Sequence, residues 1–423
     1  MRRWRWLGII WGAALAVVAT IPLDATAQQC PKGKLRIYTS WPMQGAMIPE
    51  GTGMKNGVDL AVSEAGGIVA GYCLEVINLD DASPQTGKWD GAVEAENANK
   101  AVADPLAIVY IGTYNSGAAK VSIPINNRAH MAQITPANTY PGLTKKQGAA
   151  PGEPEIYRPL GFVNYFRPVP ADDIQGAVGA KWAKRLGAKK VYVLNDQELY
   201  GKGIADVFEA TAKRIGLAIV ANEGIDWKQP DQKPVLTKVR ASGADLVYMG
   251  GVIETGAQVI IRQMKEVGLV APRVRFMGPD GLLEEELLKG ATCEVAMATE
   301  MRVTFAGLPF EKMKGIGAKT YEEYKKRFGK EPTAYALYAA EAGRVAIDGI
   351  KRAASAIERA KDVAEKREAV RKAISITKNF EGINGKWSFD ASGDVDYDTM
   401  SGFKVVKADT PVGCKFQFES ILE

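Results

Sequence analysis

The sequence predicts an α/β protein with two doubly wound lobes. Segments with strand and helix patterns alternate along most of the chain, and the alternation restarts after the Gly- and Pro-rich stretch 145–159. We interpret that stretch as a surface loop or a linker between lobes. A β/α alternation that runs twice in succession is typical of two largely parallel sheets, each covered by helices.

In the first series, short apolar runs are separated by segments with helical spacing. Leu106–Ile111 is apolar throughout, which is typical of a parallel strand that is buried on both faces. The predicted strands are Leu35–Thr39, Leu74–Leu79, Leu106–Ile111 and Ala132–Thr135. The predicted helices are Gly57–Ala65, which stops at Gly66, then Gly91–Ala103, and Ala118–Arg128, where Pro124 predicts a kink.

The second series repeats the alternation and then returns to strands at the C-terminal end. The predicted strands are Val191–Leu194, Ala218–Val220, Leu246–Gly250, Arg275–Gly278, Glu294–Thr299, Phe403–Lys407 and Lys415–Glu419. The predicted helices are Gly203–Ile215, Thr255–Val267, Tyr321–Phe328, Ala334–Ala354 and Glu358–Ser375. The charged run in the last of these helices predicts a solvated face.

The first residues have the organisation of a secretory signal peptide. Arginines within Met1–Trp6 form a basic region, and Leu7–Ala19 is nearly unbroken apolar sequence, shorter than the ~20 residues that a membrane span needs. Ala25-Thr26-Ala27 supplies the small residues of a cleavage site. We therefore predict that residues 1–27 are removed and that the mature chain is soluble and periplasmic or otherwise exported. The alternative is an uncleaved N-terminal anchor.

The composition excludes several classes of function. Of the 423 residues, 46% are hydrophobic and 24% are charged, so a sizeable core and a soluble surface are both available. Lys and Arg number 54 against 49 Asp and Glu, a formal net charge of +5, and they are not clustered as in a dedicated nucleic-acid binder. His130 is the only histidine, which argues against most zinc enzymes, His-dependent triads and haem sites.

The motifs predict no cofactor and no metal. Gly51–Gly57 is a poor match to a dinucleotide loop, because its glycine spacing is wrong and Pro42 and Pro49 separate it from the preceding strand. The sequence contains no GxxxxGK[ST] and no GxSxG motif. We interpret the adjacent Asp80 and Asp81 as cap and turn residues. An exported α/β hydrolase is therefore the alternative that the sequence disfavours.

Ser116 is the first candidate for a binding residue. It follows the buried strand Leu106–Ile111 and opens a helix at Gly117, so its hydroxyl and the exposed N–H groups of the helix N-terminus can hold an anion. The alternative is an ordinary helix cap. Thr135–Thr139 lies likewise after the next strand, where crevices form in open α/β sheets.

Several short segments of the chain form a pattern, and their order and spacing are more specific than any one segment. They are Ser40–Gly45, Gly66–Ile68, Asp80-Asp81, Gly112–Ser116, Ile134–Thr139, Phe166-Arg167, Asp196–Gly201 and Phe276–Gly281. Together they resemble the exported leucine/isoleucine/valine-binding protein family, which are type I periplasmic binding proteins of ABC transporters. The resemblance runs from about residue 34 to the C-terminus.

The resemblance implies two Rossmann-like lobes joined by a three-crossover hinge, which close on a ligand like a clamshell. The crossovers are expected near Phe166, near Ala298–Arg302 and near Trp387–Gly393. With these boundaries, lobe 1 comprises residues 28–165 and 300–388, and lobe 2 comprises residues 166–299 and 389–423.

The cysteines can be paired once the lobes are placed in this way. Four cysteines in an exported chain allow three pairings, and buried free thiols are the alternative. Cys30 precedes the first strand and Cys73 begins the second, and such strands are often neighbours in a doubly wound sheet. Cys293 and Cys414 both fall in lobe 2. We predict the disulfides Cys30–Cys73 and Cys293–Cys414.

The resemblance also implies an amino-acid site between the lobes. Asp280 of lobe 2 would hold the α-ammonium, and the ring of Tyr200 would close over it. The ligand carboxylate would be held by lobe 1, at Ser116, Gly117, Ala137 and Thr139. Asp280 stands where a glutamate is often found and Val252 where an aromatic residue often sits, so the identity of the ligand stays open.

These observations predict an exported solute-binding protein. It would capture an amino acid, of the branched-chain type or related, and deliver it to the permease subunits of an ABC importer. We expect a monomer that has no enzymatic activity, no cofactor and no nucleic-acid partner. The alternative is a ligand-sensing receptor component of the same fold, specific for an amide or an amino acid.

Overall fold

The computed structural model describes residues 30–423, so the predicted signal peptide lies outside the described residues. The strands are β1 (Lys34–Trp41), β2 (Ile68–Val69), β3 (Tyr72–Asp80), β4 (Ala107–Gly112), β5 (Ala132–Ile134), β6 (Tyr165–Phe166), β7 (Lys190–Asn195), β8 (Ala218–Gly224), β9 (Leu246–Gly250), β10 (Arg275–Gly278), β11 (Arg302–Ala306), β12 (Phe380–Gly382), β13 (Gly385–Trp387), β14 (Met400–Lys407) and β15 (Cys414–Leu422). The helices are α1 (Ile48–Glu64), α2 (Gly91–Ala103), α3 (Ser116–Arg128), α4 (Asp172–Arg185), α5 (Leu199–Arg214), α6 (Lys233–Ser242), α7 (Ala257–Glu266), α8 (Thr292–Ala298), α9 (Ile316–Phe328), α10 (Ala336–Arg359) and α11 (Val363–Ser375).

The first sheet has the strand order β2-β3-β1-β4-β5-β6. Every pair in it is parallel except the short β2–β3 pair at its edge. Its centre is β4, whose six residues are all buried, as the continuous apolar run predicts. Helices α1 and α10 pack against each other beside this sheet, and α11 contacts β4.

The second sheet has the strand order β15-β14-β11-β10-β9-β7-β8. The strands from β7 to β11 pair in parallel, whereas β14 and β15 are antiparallel additions at one edge. The two sheets and their helices confirm the predicted α/β fold with two lobes. We call the halves built on the first and second sheets lobe 1 and lobe 2.

Two details of the sequence-based prediction are wrong. Glu294–Thr299, expected as a strand, lies in helix α8 and the turn after it, because a short apolar run does not distinguish a strand from a buried helix by its periodicity. Arg302–Ala306 pairs with β10 and β14 of the second sheet, so the chain crosses back only after Ala306 and not near Ala298–Arg302. Residues 302–306 therefore belong to lobe 2, not to the predicted second segment of lobe 1 that begins at 300.

Both predicted disulfides are confirmed. Cys30 is bonded to Cys73 of β3, with 5.3 Å between the Cα atoms, which ties the segment before β1 to the neighbouring strand. Cys293 of α8 is bonded to Cys414 at the start of β15, with 6.0 Å between the Cα atoms. Each bond lies within one lobe, so neither restrains the movement of one lobe against the other.

A buried ion pair joins two of the segments that link the lobes. Arg167 follows β6 and is fully buried, and its Nε and Nη2 donate to Oδ1 of Asp394 at 3.1 and 2.9 Å. Asp394 lies in the connection between β13 and β14. Nη1 of Arg167 donates to the carbonyl of Tyr140 at 3.0 Å, and Nη2 donates to Oγ1 of Thr144 at 2.5 Å. One guanidinium thus fixes the loop after β5 against the hinge.

Within residues 30–423, we find no helix whose length and apolar character would let it cross a membrane.

Loss of the Asp394 carboxylate should destabilise the protein strongly. Asp394→Ala leaves the buried charge of Arg167 without its counter-ion, and breaking a buried pair in this way costs about 3–5 kcal/mol of unfolding free energy. Urea denaturation of the variant and the parent measures the difference. Glu266→Ala, which breaks the exposed pair with Lys233, is the control and should cost less than about 1 kcal/mol. Equal costs for the two variants would contradict this account.

Candidate ligand-binding site

The carboxyl ends of several parallel strands from both sheets surround a cavity between the lobes. The strands β4 and β5 bring their following loops from lobe 1, and β9 and β10 bring theirs from lobe 2. The space between these loops, counted together with the solvent at its opening, is about 250 Å³. We call it the Asp280 compartment; its lining residues are Tyr114, Asn115, Ala137, Tyr200, Val252, Asp280, Gly281 and Tyr335. Such a position is where open α/β sheets bind ligands.

A second compartment of about 220 Å³ shares Asn115, Tyr200 and Val252 with the first. We call it the Ser116 compartment; its other lining residues are Trp89, Ser116, Gly117, Asp196, Glu198 and Thr255. Because the two compartments have three walls in common, a single ligand can contact the groups of both.

The N-terminus of helix α3 is open towards the Ser116 compartment. The N–H groups of Ala118 and Ala119 donate to the carbonyl of Asn115, whereas those of Ser116 and Gly117 have no acceptor among the described residues. Asn115 occupies the N-cap position, but its side chain does not cap the helix. The side chain instead donates from Nδ2 to Oε1 of Glu254 in lobe 2, at 3.1 Å. The free N–H groups and the helix dipole therefore favour an anion here.

Asp280 supplies a carboxylate on the opposite side of the cavity. Its Oδ1 accepts hydrogen bonds from Oη of Tyr200 at 2.6 Å and from Nε2 of Gln175 at 2.7 Å. Burial raises the pKa of Asp280 to about 6, against the lowering effect of these two hydrogen bonds. At neutral pH this carboxyl is therefore mostly ionised, and its orientation is fixed before a ligand arrives.

The structure brings most of the sequence-predicted residues together. Ser116, Gly117, Ala137, Tyr200 and Asp280 all line one of the two compartments. The hydroxyl of Ser116 accepts a hydrogen bond from the N–H of Tyr140 at 3.4 Å, so its own hydrogen remains available to a ligand.

Two of the predicted contacts differ from expectation. The N–H of Ala137 donates to Oγ1 of Thr135 at 3.0 Å, so this amide is already in use. Thr139 is fully buried and is not a lining residue; its carbonyl accepts from the N–H of Asp172 at 2.9 Å. Tyr200 reaches Asp280 through its hydroxyl. Tyr200 therefore forms part of the cavity wall, and its hydroxyl links that wall to the carboxylate of Asp280.

Several lining residues were not identified from the sequence. Tyr114 and Asn115 directly precede Ser116, and their position after a buried strand was a usable signal. Trp89 lies in the loop before α2, and Tyr335 lies just before α10, about 220 residues further along the chain than Asn115. Only the tertiary fold of lobe 1 brings these two residues to the cavity.

The lining of both compartments is negatively charged. It includes the carboxyl groups of Asp280, Asp196 and Glu198, and no Lys or Arg is among the residues that line either compartment. Burial raises the pKa of Asp196 to about 7, and it also raises the pKa of Glu198. These carboxyl groups favour a positive charge on their side of the site, whereas the N-terminus of α3 favours a negative one. Among residues 30–423, no group of three or more His, Cys, Asp and Glu side chains is placed to hold a metal ion.

Two buried carboxyl groups lie behind the part of the cavity wall that Tyr335 forms. Glu50 of α1 accepts a hydrogen bond from the N–H of Tyr335 at 2.9 Å, and its carboxyl group interacts with that of Glu284 of lobe 2. Burial raises the pKa of Glu50 to about 7, and burial together with the charge of Glu50 raises the pKa of Glu284 well above its ordinary value. The pair therefore holds protons more tightly than two exposed carboxyl groups would.

Comparisons with known proteins agree with this geometry. A sequence profile described as "Periplasmic binding protein" matches residues 35–409, and the chain belongs to this family. Within the family, the chain is 30% identical over 328 residues to an amino acid binding protein of Pseudomonas aeruginosa, covering 77% of this chain and 79% of the relative. It is 28% identical to the Leu/Ile/Val-binding protein BraC3 of Rhizobium johnstonii, covering 86% and 89%.

Solved structures show the same fold. The leucine binding protein LivK of Thermotoga maritima has a TM-score of 0.74 at 23% identity and covers 92% of this chain and 98% of its own. A solute binding protein of R. palustris in complex with benzoate has a TM-score of 0.72 at 19% identity, covering 92% and 96%. The resemblance to the Leu/Ile/Val-binding proteins and the type I periplasmic binding fold are thereby confirmed.

Thermal stability should fall as the pH rises from 5.5 to 8. The folded-state pKa values of Glu50 and Glu284 lie above those of the unfolded chain, so the folded state binds more protons in this range and loses stability as they dissociate. Glu284→Gln keeps a hydrogen-bond donor and removes the titration. Its melting temperature should therefore depend less steeply on pH than that of the parent.

The control for this experiment is Glu381→Gln, which changes an exposed carboxylate and should keep the slope of the parent. Unfolding scans at several pH values measure the slopes. A Glu284→Gln slope equal to that of Glu381→Gln would show that the pair does not share a proton.

Proposed function

We propose that this protein captures an α-amino acid in the cavity between its lobes and delivers it to the permease subunits of an ABC importer. The proposal is carried by one observation: the two sides of the cavity favour ligand groups of opposite charge. Free helix N–H groups lie on the lobe 1 side, and the ionised carboxylate of Asp280 lies on the lobe 2 side. A zwitterion is the small ligand that satisfies both at once.

The ligand carboxylate binds at the start of α3. It accepts hydrogen bonds from the N–H groups of Ser116 and Gly117 and from the Ser116 hydroxyl. Hydrogen bonds to a charged group contribute about 1.5–3 kcal/mol each, and the helix dipole adds to them. All three donors belong to lobe 1, so the carboxylate can dock before the lobes close.

The ligand ammonium binds Asp280. The Tyr200 hydroxyl and Gln175 hold that carboxylate in place, so little reorganisation is needed when the ligand arrives. The aromatic face of Tyr200 lies in the wall of both compartments and adds a favourable surface for a cation. Because these groups belong to lobe 2, the ammonium is fully bound only when the lobes are closed.

The charge of the lining also favours the binding of amino acids over that of aromatic acids. Relatives bear the names of leucine-, isoleucine-, valine-, threonine- and alanine-binding proteins, whereas some proteins of the same fold were solved with benzoates. A benzoate brings only a negative charge into a lining that has carboxylates and no Lys or Arg. An amino acid brings the ammonium that neutralises them.

Binding shifts the protein towards the closed arrangement. Asn115 contacts Glu254 across the cleft, and the ammonium of Lys88 lies 3.8 Å from the ring centre of Trp227. Both contacts join lobe 1 to lobe 2 and are lost when the lobes separate. A ligand that contacts both lobes therefore favours the state in which these contacts form. Such a protein acts in the periplasm, which the predicted signal peptide supports.

The two charged ends of the site can be tested separately. Asp280→Asn keeps an acceptor for Tyr200 but removes the charge, and we expect it to weaken amino-acid binding by at least about 2 kcal/mol, roughly 30-fold. Ser116→Ala removes one hydroxyl donor and should cost about 1–2 kcal/mol. Isothermal titration calorimetry with a panel of amino acids measures both.

Asp409→Asn is the matched control, since Asp409 is exposed and lies far along the chain in the loop between β14 and β15. It should bind like the parent. Near-parental affinity in both Asp280→Asn and Ser116→Ala, or the failure of every amino acid to bind while benzoate binds, would refute the proposed site.

A further inference from the structure

We propose that this cavity selects amino acids whose side chain carries a hydrogen-bond donor, such as a hydroxyl or an amide, over aliphatic side chains of the same shape. The inference rests on the proposed function and adds the class of side chain. Two buried polar atoms in the cavity wall carry it, one on Asn115 and one on Tyr114, because neither has a hydrogen-bond partner among residues 30–423.

The amide of Asn115 presents its oxygen to the ligand. Its Nδ2 donates to the carboxylate of Glu254, which can only accept when it is ionised, so the orientation of the amide is determined. Its Oδ1 is left without a donor although the residue is only 8% exposed. Asn115 lines both compartments, which places the residue within reach of a ligand in either of them.

The hydroxyl of Tyr114 is the second unpartnered group. Tyr114 is 5% exposed, its ring meets the ring of Tyr335 edge-on with 5.8 Å between centres, and its Oη has no hydrogen-bond partner. Both rings line the Asp280 compartment. A phenol can donate and accept, so a ligand hydroxyl or amide satisfies it together with the oxygen of Asn115.

An aliphatic side chain would leave both groups buried without partners. A buried polar atom that loses water and gains no partner opposes binding, and a site built for a polar group therefore rejects the analogue that lacks it. Ala137, Gly281 and Val252 contribute small side chains to the same lining, beside the large rings of Tyr200 and Tyr335, and the confined space suits a short side chain. Threonine and asparagine match this description, whereas valine and leucine have nearly the same shapes without the donors.

The test compares isosteric ligands by titration calorimetry at pH 8. The pKa of Glu254 is raised by burial to about 7, so at pH 8 its carboxylate is ionised and holds the Asn115 amide in the stated orientation. Threonine should bind at least tenfold more tightly than valine, and asparagine at least tenfold more tightly than leucine.

Substitution of Asn115 should change the ratio of affinities. Asn115→Leu loses the contact with Glu254 for every ligand, so absolute affinities fall, but the preference for threonine over valine should shrink to threefold or less. Asn99→Leu, at an exposed asparagine of α2, is the control and should keep the ratio of the parent. Tyr114→Phe removes a single hydroxyl and serves as the second variant if Asn115→Leu does not fold.

The outcomes separate this inference from the proposed function. If valine and leucine bind as tightly as threonine and asparagine, or more tightly, the inference is overturned while amino-acid capture stands. An unchanged ratio in both Asn115→Leu and Tyr114→Phe would also overturn it. If no amino acid binds to the folded parent protein, the proposed function fails instead.

Discussion

The buried guanidinium of Arg167 is the interaction on which the arrangement of the site depends. It neutralises Asp394 of the hinge and holds the carbonyl of Tyr140 and the hydroxyl of Thr144. The N–H of Tyr140 in turn donates to Ser116, the first residue of α3. A single buried charge thus connects the segment on which the lobes turn to the helix terminus that faces the ligand.

The cleft holds more carboxyl groups than folding alone would favour. Asp280, Asp196, Glu254 and the pair of Glu50 with Glu284 are buried near the interface between the lobes, and burial raises the pKa of each. Ionised groups in such surroundings destabilise the closed protein until a cation or a proton compensates them. Under the proposed function, a ligand ammonium supplies that compensation, and the cost in stability then has the same physical origin as the preference for a cationic group.

Much of the fold could be predicted because strands and helices of this length carry strong local patterns. The apolar run of β4 and the helical spacing of α2 were recognisable without tertiary information. Helix α8 was mistaken for a strand because seven residues are too few to show either the helical or the strand periodicity of apolar residues. The position of the second crossover was wrong because β11 resembles any other buried strand, and only its pairing with β10 and β14 assigns it to lobe 2.

The sequence by itself determined the α/β class and, with the lobe boundaries that the family resemblance implies, the disulfide partners. It also placed the predicted site residues Ser116, Tyr200 and Asp280 after the carboxyl ends of strands. Only the tertiary structure decided how these groups are used. It turned Asn115 away from its own helix towards Glu254, and it brought Tyr335 to the wall. Local patterns report which side of a strand or helix is buried. Hydrogen bonds between residues more than a hundred positions apart depend on how two lobes pack, and no local pattern contains that information.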